Sequence, residues 1–319
     1  MPSPNASNAS FHCHDIGALE DPVLLCGGAY GNLEALEAFL DAALTRGVPP
    51  RRIIHTGDVV AYCADPAATA ERLRASGMHA IKGNVEQSLG LRREDCGCGF
   101  EAGSACDALS EQWYAHADAH VGYELRHWMA ELPDQITFTM AGRRARVVHG
   151  GVRAVSAFIF ASLPAAIFEA ELDAAEADIV VAGHCGIPFT RAIGRRVWHN
   201  AGSLGMPAND GTPRVWYSVL APEGKGVRFE HVPLAYDHAR AQAKMAAAGL
   251  PQGYAQALST GLWPSLSVLP AMERACTGTP LAPEPVRSDQ NGRAGPSEPA
   301  NSVAPSTSSA REPPSAATR

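Results

Sequence analysis

Near its start, the chain alternates short apolar runs with segments whose apolar residues recur at helical spacing. The run PVLLCG predicts a buried strand, and Asn32 to Leu44 predicts an amphipathic helix. The stretches RIIHTGD, PAATAERLRAS and HAIKGN then predict a strand, a helix and a third strand. Because strands that alternate with helices form βαβ units, we expect this region to contain a parallel sheet.

The pattern changes after a long helical region, Ser110 to Leu132. The stretches QITFTMAGRRARVVHGG and FTRAIGRRVWHNAG predict hairpins that turn at Gly142 and Gly194. ADIVVAGH predicts a buried strand, and RVWYSVL with VRFEHV predicts a closing pair of strands. Parallel and antiparallel strands together with helices indicate an α/β fold in which mixed sheets pack in layers, with helices outside.

The two ends of the chain differ from this pattern. Residues 1–20 are predicted to be flexible, and 21–235 to form the main domain. Residues 236–276 contain a helical segment that we expect to cover one end of it. Residues 277–319 are rich in Pro, Ser and Ala, and have almost no large apolar side chain. Because such a segment cannot bury enough surface to offset its ordering entropy, it is predicted to be a disordered tail.

Composition narrows the function classes. The 319 residues carry a net charge of −7, which argues against bulk electrostatic binding to nucleic acid. No apolar run reaches the roughly 18 residues that would indicate a membrane span. The start of the chain has no basic segment followed by an apolar one, so we expect no secretory signal and a cytoplasmic location. Eight cysteines without an export signal favour free thiols or metal ligands over a disulfide framework.

Four predicted strands end in side chains that bind metals or phosphate. Asp58 follows one strand in TGDVVAY, Asn84 lies in IKGNVE, His149 in VVHGG and His184 in VAGHCG. In open α/β sheets, ligands bind at the carboxyl ends of strands, so these groups are expected to lie near one another. A carboxylate, an amide oxygen and imidazoles suit a divalent cation such as Mn²⁺, Fe²⁺ or Zn²⁺.

Cysteines lie near the same motifs and leave an alternative open. Cys96 and Cys98 in DCGCGF, and Cys185 in GHCG, are either thiolate ligands, which would favour Zn²⁺, or small buried apolar residues. A glycine-rich C-G-C loop has good geometry for chelation and makes a poor core. For Cys26 and Cys63 the buried apolar role is the expectation.

The ordered series of motifs resembles the calcineurin-like metallophosphoesterase superfamily, in which D-x-H, G-D, G-N-H-[DE], H and G-H-x-H follow one another. It is most similar to the bacterial phosphodiesterase and diadenosine-tetraphosphatase-like branch. The matching segments are GNLEALEAFL, GDVVAYCADP, IKGNVE, VVHGG and NAGSLGMPANDGTPRVWYSVL, and the resemblance extends from about Asp21 to Leu220. It implies a four-layer α/β/β/α sandwich with the site at one edge of the two sheets.

In this family, two metal ions share the Asp of the G-D motif. One ion is held by that Asp, the Asn of G-N-H, the lone His and the first His of G-H-x-H. The corresponding residues are Asp58, Asn84, His149 and His184. The other ion uses the same Asp with the D-x-H pair and the last His of G-H-x-H. Those remaining positions are occupied by Gly28, Tyr30 and Gly186. The resemblance therefore implies one complete metal site and one dismantled site.

Two further positions bear on catalysis. The His of G-N-H-[DE], which in the family protonates the leaving group or stabilises charge, is Val85, which can do neither. Glu86 keeps the acidic position, with a structural role at the helix start or a catalytic one. Tyr30 is expected to donate a hydrogen bond to a bound phosphate rather than to ligate a divalent ion, because its phenol has a pKa of about 10.

Three interpretations follow from the altered site. The first is a phosphoesterase with one divalent ion per chain, in which Asp58 and His149 are catalytic. The second is an inactive protein that binds a metal and a small phosphate-containing ligand. The third is a site rebuilt with cysteine ligands. Neither nucleic acid nor membrane is an expected partner.

Overall fold

The computed structural model describes residues 11–101 and 103–288, and within these it contains twelve β-strands. The strands are β1 (Cys13–Ala18), β2 (Val23–Cys26), β3 (Ile53–His55), β4 (His79–Ala80), β5 (Gln135–Met140), β6 (Arg143–Val147), β7 (Ile179–Ala182), β8 (Phe189–Ile193), β9 (Arg196–Asn200), β10 (Val215–Glu223), β11 (Gly226–Leu234) and β12 (Val286–Arg287). Both predicted hairpins are present, as β5–β6 and β8–β9.

Nine α-helices connect or cover these strands in the described ranges. They are α1 (Leu33–Thr45), α2 (Pro66–Ser76), α3 (Asn84–Gly90), α4 (Ala105–His120), α5 (Tyr123–Glu131), α6 (Ala165–Ala175), α7 (His238–Ala247), α8 (Gln252–Thr260) and α9 (Ala271–Ala275). None of these helices combines the length and the apolar character needed to cross a membrane.

The strands form two six-stranded mixed sheets. One has the order β1-β5-β6-β7-β9-β8, and the other has the order β12-β11-β10-β2-β3-β4. In the second sheet, β2, β3 and β4 are parallel, as the alternation of strands and helices predicts. The carboxyl ends of β3, β4, β6 and β7 each lead into one of the four motifs.

Alternation along the buried strands builds the layers. In β2, Val23 and Leu25 belong to an apolar cluster drawn from both sheets, whereas Leu24 packs with the helices outside. In β7, Val181 faces the other sheet and Val180 packs with the residues of α6. Because successive side chains of a strand point to opposite faces, each sheet has a sheet on one side and helices on the other. The predicted four-layer sandwich is confirmed.

The first helix shows how the chain turns at the edge of the sheets. The Asn32 side chain caps α1 by accepting the Ala35 N–H at 3.1 Å, and its amide donates to the Gly205 carbonyl at 3.0 Å. Leu36 and Phe39 bury the inner face of α1 against the outer face of the second sheet. The cap therefore anchors α1 to a neighbouring loop as well as starting the helix.

The expectations for both ends of the chain need correction. Residues 11–20 are not loose, because β1 pairs with β5 as a parallel edge strand. Likewise, β12 pairs with β11, so the predicted disordered tail from residue 277 begins too early. These strands are largely exposed, and backbone hydrogen bonds to a neighbouring strand hold them in place. Because they bury few apolar side chains, their sequences lack the apolar pattern by which strands are predicted. Residues 1–10 and 289–319 lie outside the described ranges.

A pair of buried histidines joins the two sheets. The rings of His199 in β9 and His231 in β11 stack with their centroids 4.5 Å apart. Thr190 Oγ1 lies 2.8 Å from His199 Nδ1 and 3.1 Å from His231 Nε2, and Ser218 Oγ lies 3.0 Å from His231 Nδ1. Burial lowers the pKa of His231 to about 4, and burial and the neighbouring His231 ring also lower the pKa of His199. Both imidazoles are therefore neutral near pH 7.

This pair predicts a loss of stability in acid. The pKa of His231 is lower in the folded state than in the unfolded chain, so the unfolded chain binds more protons between about pH 6.5 and pH 4. The free energy of unfolding should therefore fall over that interval, by at most roughly 3 kcal/mol from His231. Urea titrations of the native chain and His231→Asn at several pH values test this. Parallel pH profiles for the two proteins would contradict it.

Candidate metal centre

The four predicted ligand residues meet at one buried point. His149 Nε2 lies 3.2 Å from Asp58 Oδ2, 3.1 Å from Asn84 Oδ1 and 3.0 Å from His184 Nδ1. One ligand atom from each of Asp58, His149 and His184 falls within 4.8 Å of the others. All four residues are less than a tenth exposed. The structure thus brings together the full set expected for one ion.

The chemistry of these atoms fits a cation. His149 Nδ1 lies 2.6 Å from the Thr56 carbonyl and donates to it, which leaves Nε2 as an electron-pair donor in the neutral ring. Nε2 then faces a carboxylate oxygen and an amide oxygen, which are acceptors as well. In addition, His184 Nε2 is buried and has no hydrogen-bond partner of good geometry among residues 11–101 and 103–288. Several buried acceptors that face one another without a donor are unfavourable. A divalent cation bound between them would satisfy these acceptors.

The pKa values of these groups follow from their burial and mutual charge. Burial alone would lower the pKa of His149, but the adjacent Asp58 carboxylate raises it above its ordinary value. Burial alone would raise the pKa of Asp58, and His149 brings it below its usual range. Burial, followed by His149, lowers the pKa of His184 to about 3. His184 is therefore a neutral imidazole, the form that ligates metals.

Glu86 holds together the two loops that carry Asp58 and Asn84. Its Oε2 accepts the backbone N–H groups of Asp58 at 2.7 Å and Gly83 at 2.8 Å, and its Oε1 accepts that of Val59 at 2.8 Å. Burial and the nearby Asp58 raise the pKa of Glu86 to about 7. Of the two roles that the sequence leaves open for Glu86, these contacts account for the structural one.

The same two loops approach each other closely. Asp58 has a left-handed backbone with φ 60°, and its Oδ1 accepts the Val85 N–H at 3.2 Å. A Cβ atom at Gly83 would overlap the Asp58 carboxylate, and Gly57 combines φ +94° with a similar close approach to Gly83. The glycines of the G-D and G-N motifs are therefore required by the distance between the loops.

The Tyr30 ring fills the space beside Gly28. A Cβ atom at Gly28 would overlap the Tyr30 ring, which packs edge-on against Tyr62 with 4.8 Å between ring centroids. On the other side, a Cβ atom at Gly186 would lie 3.4 Å from Trp263 Cζ2. Burial, then Asp58, raises the pKa of the Tyr30 phenol, so it stays protonated and is a poor metal ligand.

The cysteines adopt roles other than the predicted chelation. Cys96 and Cys98 are joined by a disulfide, so the expectation that they are free thiols or metal ligands is wrong for this form of the protein. Cys185 donates its S–H to the Ile187 carbonyl, and burial raises its pKa to about 12, which favours a buried thiol over a ligand. Cys26 and Cys63 are buried thiols, in line with expectation.

A cavity of about 70 Å³ lies beside His184. Six of its fifteen lining residues carry aromatic rings, namely Tyr30, Tyr62, Phe100, Phe158, Tyr254 and Trp263. Among its described lining residues there is no Lys, Arg, Asp or Glu. Tyr254 in α8 and Trp263 after it belong to residues 236–276, the segment that was expected to cover one end of the main domain. Their role could not be predicted from the sequence, because isolated aromatic residues in a helical segment form no recognisable motif.

Comparison with known proteins agrees with this architecture. Residues 29–222 match the family model of the calcineurin-like phosphoesterase superfamily domain. A metallophosphoesterase from Sphaerobacter thermophilus has 22% sequence identity and a TM-score of 0.58, covering 76% of this chain and 100% of its own. A hypothetical protein from Pyrococcus horikoshii OT3 has 17% identity and a TM-score of 0.64, covering 76% and 99%. No curated protein gave a significant match.

The family model covers more than half of the chain, so the protein belongs to the calcineurin-like phosphoesterase superfamily. The resemblance inferred from the motifs is confirmed. The two solved structures share the fold, with low sequence identity. In this chain, the candidate centre lies where β3 and β4 of one sheet and β6 and β7 of the other end.

Replacing Glu86 with Gln should lower both the metal affinity of the centre and the stability of the protein. The amide NH₂ cannot accept the backbone N–H groups that the carboxylate holds, so Asp58 and Asn84 should lose their relative position. We expect metal affinity to fall about 10-fold or more and the free energy of unfolding to fall by about 1–3 kcal/mol. Calorimetric metal titration and urea unfolding measure both effects. Glu131→Gln, on the exposed face of α5, is the matched control, and equal behaviour of the two variants would contradict this role.

Because Tyr30 packs against Gly28, substitutions at these two positions should have non-additive effects on the free energy of unfolding. Gly28→Ala alone should lower the free energy of unfolding by about 1–3 kcal/mol, because the methyl group overlaps the Tyr30 ring. In a Tyr30→Gly background the same substitution should cost much less. A double-mutant cycle by urea unfolding gives the coupling energy, expected at about 0.5–3 kcal/mol. Additive effects would show that Tyr30 does not occupy the space beside Gly28.

Proposed function

We propose that the protein is a metal-dependent phosphoesterase that works with one divalent ion. Asp58, Asn84, His149 and His184 would hold the ion, since their donor atoms converge on one buried point. This convergence is the observation that carries the proposal. Mixed carboxylate, amide and imidazole ligands suit Mn²⁺, Fe²⁺ or Zn²⁺. A single ion is favoured because the Tyr30 ring fills the space beside Gly28.

The ion, when bound, would supply Lewis acidity that polarises a phosphoryl oxygen. The chain itself orients the ligands: the Thr56 carbonyl fixes the tautomer of His149, and Glu86 fixes the loop of Asp58. Val85 cannot donate a proton to a leaving group. The centre would therefore act best on esters whose leaving group departs without protonation, such as an aryl or phosphoryl group.

The residues that line the cavity limit the range of possible substrates further. Its aromatic walls favour an apolar or aromatic group, and its small volume favours a compact one. Because no Lys or Arg is among its described lining residues, it has no side chain that would neutralise several phosphates. We infer that a small phosphoester with an aromatic group fits better than a polyphosphate. Tyr30 lines this cavity and would donate its hydroxyl to the phosphate.

The second candidate function is binding without turnover. Val85 removes a proton donor, and Tyr30 and Gly186 remove ligands of the other ion. A protein with these changes would still hold one ion and a small phosphate-containing ligand. Cytoplasmic location, for either function, rests on the sequence alone.

Metal analysis combined with a hydrolysis screen separates the two functions. We expect one ion per chain by mass spectrometry and hydrolysis of aryl phosphate mono- or diesters. Both the ion and the activity should be lost in His149→Ala and reduced in Asp58→Asn. His127→Ala, at an exposed position of α5, is the matched control and should keep both. One bound ion with no turnover on any ester would support the binding function, and no bound ion would contradict both.

A further inference from the structure

A disulfide lies directly against one of the candidate metal ligands. The Asn84 side-chain Nδ2 donates to the Cys96 carbonyl at 2.9 Å and lies 3.4 Å from Cys98 Sγ. On its other side, Asn84 Oδ1 is 3.1 Å from His149 Nε2. Because the amide is planar, holding its nitrogen fixes the direction of its oxygen. The disulfide-bonded loop thus aims Asn84 Oδ1 at the metal centre.

The loop is packed tightly on the helix that begins at Asn84. Gly97, between the two cysteines, has φ +63°, and a Cβ atom there would lie 3.0 Å from Ser88 Oγ and 3.6 Å from Asn84 Cβ. Cys96 and Cys98 are both buried. The S–S bond therefore ties together the two groups that contact the Asn84 amide, the Cys96 carbonyl and the Cys98 sulfur.

We propose that Cys96–Cys98 is a redox-modified site that positions Asn84 and thereby sets the metal affinity of the centre. A thiol reductant would break the S–S bond and form two S–H groups, while two thiols of the reductant join in a disulfide. The Cys98 sulfur would then be free to move from the Asn84 amide. The inference rests on the metal site of the proposed function, and it does not depend on turnover.

The test compares Co²⁺ and Zn²⁺ affinity of the full chain in both redox states. Competition with a chromophoric chelator gives the affinities, and thiol titration verifies each state. We expect the metal affinity to fall about 10- to 100-fold after reduction. Losing a residue that hydrogen-bonds to a metal ligand usually has an effect of this size. Reoxidation should restore it. Thermal unfolding of the metal-free protein in both states checks that the loss is not general unfolding.

Variants distinguish positioning from a general structural role. A Cys96→Ser, Cys98→Ser double variant should show the weaker affinity in either redox condition. Asn84→Asp keeps a ligand oxygen but lacks the amide nitrogen that the loop holds, so its affinity should be insensitive to reduction. Cys13→Ser with Cys276→Ser, which removes the two exposed free thiols, is the matched control and should keep the redox response.

Three results would overturn the proposal. The first is equal affinity in the two verified states, and the second is free Cys96 and Cys98 thiols in the air-oxidised protein. The third is a thiolate-to-Co²⁺ charge-transfer band on reduction, which would make a cysteine a ligand. A bound ion without hydrolysis would contradict the phosphoesterase proposal alone, and the redox effect on metal affinity would still be measurable. Absence of metal binding in both redox states would overturn this inference as well.

Discussion

The buried carboxylate of Glu86 is the contact on which the candidate centre depends. Three backbone N–H groups from two separate loops donate to it, so one side chain joins both loops. Once the loops are joined, Asp58 and Asn84 lie beside His149. The geometry of the candidate centre therefore depends on a residue that is not itself one of the four candidate ligands. Burying a charge is costly, and here backbone hydrogen bonds offset that cost.

Gly28 and Gly186, at two positions of the family motif, both lie beside aromatic side chains. Gly28 has no side chain, and the ring of Tyr30 takes up the space beside it. At Gly186 the indole of Trp263 is the nearest neighbour. Both glycines thus lie against aromatic rings, while Asp58, Asn84, His149 and His184 converge on the candidate centre.

Much of the fold and the ligand set could be predicted from the sequence. Apolar runs ending in Asp58, Asn84, His149 or His184 have a physical signature, because buried strands and their polar ends differ sharply in hydropathy. The edge strands β1 and β12 lack that signature, since backbone pairing holds them. The Cys96–Cys98 bond could not be predicted either, because cysteine spacing does not determine pairing.

Tyr254 and Trp263 form part of the cavity wall, although they lie outside the stretch of sequence that contains the four candidate ligands. The Trp263 indole donates to the Pro207 carbonyl at 2.7 Å, and its backbone N–H donates to Asn209 Oδ1 at 2.9 Å, which fasten this wall to the main domain. A fragment ending at residue 235 would keep every ligand and lose part of the wall. The four candidate ligands and this part of the cavity wall are thus encoded in different stretches of sequence.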